Sequence, residues 1–240
     1  SFIFSSGFVK SVGKYLMQEF DISEFWMPFS TGLIFVIPLI LSVWLLNQLP
    51  PPHEKDIHHR TERLPMSYTE RMGFLRKFAV AILPFTIVYI FLTVLRDIRD
   101  NFAAEIWISL GMGDMPSIFT TAEIPVGIGV LVFTALMFLI KNNLKALNAS
   151  ILLVVFGLGV NILATAAFRA GLIGGVFWMI AVGFGLYLGY IAYHSLLFER
   201  FIAAFRTVSN IGFLFYIADA FGYLGSVSSY LLKNFFSPEL

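Results

Sequence analysis

The sequence contains no cysteine, so disulfides, thiolate metal sites and cysteine nucleophiles are all excluded. Charged side chains are also scarce: they make up 13% of the 240 residues, against about a quarter in an average soluble domain. Basic and acidic residues nearly balance at a net charge of +1, which leaves no basic excess to attract nucleic acid. Hydrophobic residues account for 58% of the chain, and this composition predicts a membrane-embedded protein.

Common catalytic motifs are missing as well. The chain has no HExxH, no GxSxG, no GxxxxGK followed by Ser or Thr, and no GxGxxG between a strand and a helix. His53, His58 and His59 share a proline-led loop, which we interpret as solvated rather than metal-binding. We therefore predict a protein that is not an enzyme and that uses no cofactor or metal. An intramembrane enzyme would need two titratable groups within hydrogen-bond reach in one cavity.

Six apolar runs are long enough to cross a bilayer, which takes about 20 residues of helix. Backbone groups in lipid must pair within a helix or a closed barrel, and these continuous runs exclude barrel strands, which alternate over about ten residues. We predict an all-α polytopic transmembrane helix bundle with six full spans and a partial N-terminal helix over 1–17. The predicted spans are 28–49, 74–95, 123–140, 148–167, 175–198 and 207–232.

A charged, proline-led loop divides the chain. We place the partial helix and span one in residues 1–49, the loop in 50–72 and a five-span helical bundle in 73–240. Ten Lys and Arg residues fall on the side of the membrane that holds this loop, and six fall on the opposite side. Because positively charged loops resist translocation, we expect loop 50–72 in the cytoplasm.

Asp219 is the clearest polar residue inside a predicted span. It lies in the middle of 207–232, where insertion of an aspartate costs roughly 2.5 to 3.5 kcal/mol. Arg206 is thirteen residues away, about 20 Å along a helix, so Asp219 needs a partner from another helix, a proton or a cavity. Two interpretations stay open: a proton-linked or gating carboxyl, and a structural aspartate at a helix kink.

The charged run that follows span two is denser. Arg96 and Asp100 are i,i+4 neighbours on a helix, which predicts an internally paired strip of charge. As a functional hypothesis, Arg96 and Arg99 bind an anionic solute or act as gate cations, because guanidinium grips carboxylate and phosphate bidentately. Asp97, Asp100 and Glu105 are then their counter-charges. The alternative is a solvated helix end with arginines that reach out to water.

Three further polar residues fall inside or near spans. Asn161 and Asn210 are candidate solute contacts, although amides also commonly hydrogen-bond between membrane helices for packing alone. His194, near the end of span five, is a candidate proton relay. On the same span Ala181, Gly185 and Gly189 recur every four residues, a pattern that favours close helix packing.

Several strings carry a resemblance to a known family. The strings KSVGK (10–14), SEFWMPF (23–29), RDNFAAEIW (99–107) and ADAFGYLGS (218–226), with the loop at 50–72, resemble an uncharacterised bacterial family of integral membrane proteins similar to major facilitator superfamily (MFS) transporters. This resemblance implies twelve helices in two halves that rock about a central cavity. The residues up to 49 would supply helices five and six, and 73–240 helices seven to eleven, with helix twelve and the first four outside this sequence.

Residues and resemblance together predict a secondary transporter of a small polar or anionic solute, coupled to protons, in the bacterial inner membrane. Its expected partners are the lipid bilayer, the solute, protons and the remaining helices of the same chain. The alternative is a non-transporting membrane sensor or assembly subunit whose polar residues only hold helices together. Convergence of positions 96, 97, 100, 161 and 219 on one water-accessible site would favour transport.

Overall fold

The computed structural model describes residues 2–50, 66–205 and 211–236, and these residues form helices without strands. The histidines of the 50–72 loop, Arg206 and Asn210 lie outside the described residues. The helices are α1 (Phe2–Glu19), α2 (Met27–Asn47), α3 (Tyr68–Asn101), α4 (Ala103–Ser109), α5 (Ile118–Met137), α6 (Asn143–Arg169), α7 (Gly175–Ile191), a π-helical segment (Ala192–Leu197), α8 (Phe198–Phe205) and α9 (Ile211–Phe236).

Five helical stretches are long and apolar enough to cross a membrane, which agrees with the prediction of an all-helical membrane protein. The sixth predicted span forms helix α9, but α9 is not one of these five, so the count of six full spans stays a prediction. The five stretches are Met27–Asn47, Tyr68–Asn101, Ile118–Met137, Asn143–Arg169 and Gly175–Ala204.

Helix α3 extends well beyond its predicted apolar core because its polar ends are also helical. Its first turn has a capping box: the Ser67 backbone N–H donates to Glu70 Oε2 at 2.7 Å, and the Ser67 hydroxyl accepts from the Glu70 N–H at 3.4 Å. At 34 residues the helix is about 50 Å long, against about 30 Å of hydrocarbon. Its last turns therefore carry charged residues out of the apolar stretch.

Contacts divide the chain into two units. The first comprises Ser1–Leu64 and Asp114–Thr121. In this unit, the hydroxyls of Ser11 and Thr120 lie 2.7 Å apart. Only 6% of the most apolar stretch of α2 is buried, as expected for a helix that faces lipid. The second unit comprises Pro65–Gly113 and Ala122–Leu240 and contains the polar residues discussed below.

Within the second unit, α6 and α7 form a hairpin that turns at Gly171, whose φ of 70° favours glycine. The two helices touch backbone to backbone where Gly157 meets Gly185, since a Cβ on either glycine would collide with the other's carbonyl oxygen. Gly189 lies against Leu92 of α3. The close packing predicted from the small residues of span five is therefore present at Gly185 and Gly189.

The direction of the helices can be read from their contacts. Helix α9 runs parallel to α3, because Tyr89 bonds Asp219 and, further along both helices, Asn101 bonds Tyr230. Helix α7 runs antiparallel to α3: Arg99 reaches Met179 near the start of α7, and the ring of Tyr89 lies on Tyr193 beyond its end. Successive membrane spans alternate in direction, and both orientations fit that alternation.

Candidate functional site

The candidate site is the set of polar residues that α3 shares with its neighbours, and we call it the polar interface. Its members come from α3, the start of α5, α7 with the π-helical segment, and α9. They are Tyr89, Arg96, Asp97, Arg99, Asp100, Glu123, Tyr187, Tyr190, Tyr193, His194, Asp219 and Ser226.

Asp219 has partners from two other helices. The Tyr89 hydroxyl donates to Asp219 Oδ1 at 2.6 Å, and His194 Nε2 lies 3.6 Å from the same oxygen. Gly222, one turn after Asp219, permits this approach because a Cβ there would lie 2.8 Å from the Tyr89 ring. The Asp219 side chain is 29% exposed and that of His194 is 37% exposed, so neither group is sealed inside protein.

The π-helical segment Ala192–Leu197 contains His194 and Tyr193. Single π turns inside α-helices are uncommon and occur frequently at functional sites, where they change the direction of side chains. Tyr89 is stacked between two tyrosines here, with ring centroids 5.6 Å from Tyr190 and 4.6 Å from Tyr193. The His194 ring in turn stacks on Phe215 of α9. The segment thus assembles an aromatic layer around the Asp219 carboxyl.

Arg96 and Asp97 form the second group of the polar interface. Arg96 donates two hydrogen bonds to Asp97 Oδ1, at 2.9 Å from Nε and 2.6 Å from Nη2. The other Asp97 oxygen accepts from the Ser226 hydroxyl at 2.6 Å, which ties α3 to α9. Arg96 Cζ also lies 4.1 Å from the centroid of the Tyr190 ring, within the range of a cation–π contact. Arg96 is therefore buried, and its Nε and Nη2 are both bound by Asp97.

Arg99 and Asp100 form the third group. Arg99 is 4% exposed and reaches Asp100 at 3.3 Å, Glu123 at 2.8 Å and the Met179 carbonyl at 3.2 Å. The Tyr187 hydroxyl donates to the other Asp100 oxygen at 2.6 Å.

This arginine fits only because residue 183 is a glycine. A Cβ at Gly183 would lie 2.6 Å from Arg99 Cζ. The sequence gives no signal for Gly183, because tertiary packing determines which residue lies opposite it.

The pairing within the α3 strip differs from the sequence prediction. We expected Arg96 to pair with Asp100 one turn along the helix, and the structure instead pairs each arginine with the aspartate that follows it. The reason is tertiary: Tyr190 holds Arg96 on the α7 side, while Tyr187 and Arg99 occupy Asp100. The arginines are also buried, so the alternative of a solvated helix end does not describe them.

The counter-charges of the arginines are partly those expected. Asp97 and Asp100 pair as proposed, but Glu105 is exposed on α4, and none of the ion pairs formed by the described residues involves it. Glu123 of α5 takes that position opposite Arg99. In the sequence, Glu123 is the polar residue at which the predicted span 123–140 begins. Helix α5 starts at Ile118, so Glu123 lies inside the helix. A sequence prediction with that start would have identified Glu123 as an acid within a span.

Asn161 does not join the polar interface. Its Nδ2 donates to the Gly157 carbonyl of its own helix at 2.7 Å, and its side chain packs on Gly185. This position matches the packing alternative for Asn161, and the corresponding hypothesis for Asn210 concerns a residue outside the described part of the chain. Positions 96, 97, 100 and 219 lie along one helix interface in separately paired groups, whereas position 161 lies in a different helix contact.

The balance of basic and acidic side chains indicates which ligands suit the polar interface. Two arginines, Arg96 and Arg99, face four carboxyl groups from three helices. Both guanidinium groups are already paired, so the excess is on the acidic side, and protons or cations are the natural ligands of such a site. Among the described residues, no group of three or more His, Asp or Glu side chains is arranged to hold a metal ion.

The described part of the chain has five helices that are long and apolar enough to cross a membrane, and its buried charges are paired. These features are typical of an integral membrane protein with several spans. The whole chain, residues 1–240, matches the model of the family described as a family of unknown function (DUF5690), and the chain belongs to this family. No curated protein and no solved structure matches the chain.

Proposed function

We propose that this chain is part of a proton-coupled secondary transporter of a small polar solute, and that Asp219 carries the proton. The observation that supports this most directly is the Asp219 carboxyl itself. It lies within an apolar helix, accepts a short bond from Tyr89, has His194 at 3.6 Å and keeps 29% of its side chain exposed. Ionisable groups that are costly in a membrane and still partly accessible are typical of proton pathways.

The solute class follows from the arginines. Arg96 and Arg99 are both engaged with carboxylates, so an anionic solute would have to displace Asp97 or Glu123 to reach them. A neutral or cationic polar solute meets the acidic excess without that exchange. We therefore favour a small polar solute, and we assign the two arginines to holding or gating the helices.

The wider architecture is part of the same proposal. An MFS-like arrangement of two six-helix halves, with this chain supplying helices five to eleven, is consistent with the alternating directions of α3, α7 and α9. We place the protein in the bacterial inner membrane with loop 50–72 in the cytoplasm. In this proposal its partners are the lipid bilayer, the solute, protons and the remaining helices of the same protein, and it catalyses no chemical reaction.

A second candidate is a non-transporting sensor or assembly subunit. It is favoured by one specific observation: Asp97 and Asp100 are each satisfied by an arginine and a hydroxyl from a neighbouring helix. Such complete pairing is also what interhelical contacts with a purely structural role require.

Uptake into proteoliposomes separates the two candidates. The complete protein is purified and reconstituted into proteoliposomes. The vesicles are then given radiolabelled glucose, alanine, lysine, lactate or succinate, with and without an inward proton gradient. The transporter proposal expects at least one solute to accumulate several-fold more with the gradient than without it. Equal, protein-independent counts for every solute, from folded protein, would support the sensor or assembly candidate instead.

A further inference from the structure

The hydroxyl groups of Tyr89 and Tyr190 form a short hydrogen-bonded chain that ends at Asp219, and the direction of each bond can be worked out. A phenol has one proton to donate and two lone pairs with which to accept. The Tyr89 oxygen lies 2.6 Å from Asp219 Oδ1 and 3.3 Å from the Tyr190 oxygen. An ionised carboxylate can only accept, so Tyr89 directs its single proton to Asp219. The bond between the two tyrosines is then donated by Tyr190.

We propose that Tyr190 is a positioning residue for the proton-binding carboxyl of Asp219, an inference that rests on the function proposed above. By donating to Tyr89, Tyr190 keeps the Tyr89 proton directed at Asp219. Hydrogen bonds in such a chain polarise and strengthen one another. Tyr190 therefore acts on Asp219 through Tyr89, without a direct bond to the carboxyl.

Protonation of Asp219 on Oδ1, the oxygen that faces Tyr89, reverses the direction of this chain. The carboxylic acid then donates to the Tyr89 oxygen, Tyr89 donates to Tyr190, and the Tyr190 proton turns elsewhere. Each phenol keeps its own proton, and the added proton stays on the carboxyl oxygen. The orientation of the Tyr190 hydroxyl thus follows the charge of Asp219.

Tyr190 also connects Asp219 to the next charged pair along α3. Its ring lies under Arg96, with 4.1 Å between Cζ and the ring centroid, and Arg96 is held by Asp97. A change in the hydroxyl of Tyr190 changes the electrostatic field at that guanidinium. Proton binding at Asp219 is in this way transmitted to the Arg96–Asp97 pair, and through Asp97 to Ser226.

The aromatic groups around Asp219 include a control residue for Tyr190. Tyr89 comes from α3, while Tyr190, Tyr193 and His194 come from α7 and the π-helical segment. Tyr193 is a matched control for Tyr190: both rings stack on Tyr89, but the Tyr193 hydroxyl is buried and makes no hydrogen bond with the described residues. Tyr193→Phe therefore removes a buried phenol oxygen near Asp219 without removing a hydrogen bond to Tyr89.

Infrared spectroscopy of the full-length chain in lipid tests the proposal. The carboxylate stretching band of Asp219 is isolated at alkaline pH as the difference between wild type and Asp219→Asn. We expect Tyr89→Phe to shift this band strongly and Tyr190→Phe to shift it in the same sense by a smaller amount. Tyr193→Phe should shift it less than Tyr190→Phe does. If a Phe variant does not fold, Tyr190→Met and Tyr193→Met provide a second matched pair, because the flexible Met side chain can fill the space of either ring without a hydrogen-bond donor.

Two results would overturn the positioning role of Tyr190. One is a band in Tyr190→Phe that coincides with the wild-type band, and the other is an equal shift in Tyr193→Phe. The measurement needs no solute and no transport. A band that responds to Tyr190 in a protein that moves nothing would therefore support the positioning role while refuting the transporter.

Discussion

Asp219 and Glu123 illustrate how a membrane protein keeps acids within apolar helices. Each is contacted from another helix, Asp219 by the Tyr89 hydroxyl at 2.6 Å and Glu123 by Arg99 at 2.8 Å. The two solutions differ in kind. Glu123 is matched by a full positive charge and is 8% exposed, which suits a permanent ion pair. Asp219 is met by a neutral hydroxyl and keeps partial exposure, which is the arrangement on which the proposed proton role rests.

The ion pair of Glu123 gives a prediction about stability. Glu123→Gln keeps the shape of the side chain and removes the charge that faces buried Arg99, so we expect unfolding to become easier by about 1–3 kcal/mol. Thermal unfolding in detergent micelles measures the change. Glu105→Gln is the control, because Glu105 is exposed, and it should lie within about 0.5 kcal/mol of wild type. Equal stability of the two variants would show that the Arg99–Glu123 pair contributes nothing.

Residue roles could be predicted from the sequence only where one helix determines them. Asp219 stood out because an acid inside an apolar run is costly wherever the helix packs. The partners of Arg96 and Arg99 from other helices, Tyr190 and Glu123, were not predictable, since they depend on which faces of α7 and α5 meet α3. Tyr89, Tyr187 and Tyr190 gave no signal, because a tyrosine in an apolar run is common and its hydroxyl becomes informative only beside an acid.

Helices were predicted more reliably than their ends. Hydropathy located α2, α6 and α9, yet placed the start of α5 five residues late, because Glu123 was taken as a border. It also ended α3 early at Leu95, since a hydropathy window stops at charges that a helix can still hold. The capping box at Ser67 and Glu70 was a readable signal for the true start of α3. The π-helical segment has no comparable sequence signature.

Packing of the α6–α7 hairpin gives a prediction at Gly185. Gly185→Ala places a Cβ against the Gly157 carbonyl oxygen and the Asn161 side chain, and the backbone cannot move aside easily. We expect a loss of about 1–3 kcal/mol. Gly159→Ala is the control on the same hairpin, because nothing lies within 4 Å of its Cβ position. Thermal unfolding of the two variants side by side measures the difference, and a Gly185→Ala protein as stable as Gly159→Ala would contradict the close backbone contact.

Alternating helix directions and the distribution of charge lead to a membrane orientation for the whole chain. Lys145 lies near the N-terminus of α6 and Arg169 at its C-terminus. The two residues are 24 positions apart, which is about 36 Å along the helix. That distance exceeds the hydrocarbon thickness of about 30 Å. If α6 spans the membrane as proposed, the two residues lie at opposite membrane surfaces, and the excess of basic residues predicts Lys145 on the cytoplasmic side.

Labelling of single cysteines tests this orientation, and the absence of native cysteine provides a clean background. Lys145→Cys should resist a membrane-impermeant maleimide in intact cells and react after permeabilisation. Arg169→Cys should react in intact cells. The reversed pattern would invert the predicted topology, and reaction of both residues in intact cells would remove α6 from the set of spanning helices.

Proton movement through reconstituted protein tests the central claim most directly. Proteoliposomes that contain a lumenal pH-sensitive dye are given a solute that the protein accumulates, and the rate of lumenal acidification is recorded. Asp219→Asn should abolish solute-driven acidification in folded, inserted protein, whereas Asp114→Asn, the same change at an exposed aspartate, should leave the wild-type rate. Acidification at the wild-type rate by Asp219→Asn would contradict the account.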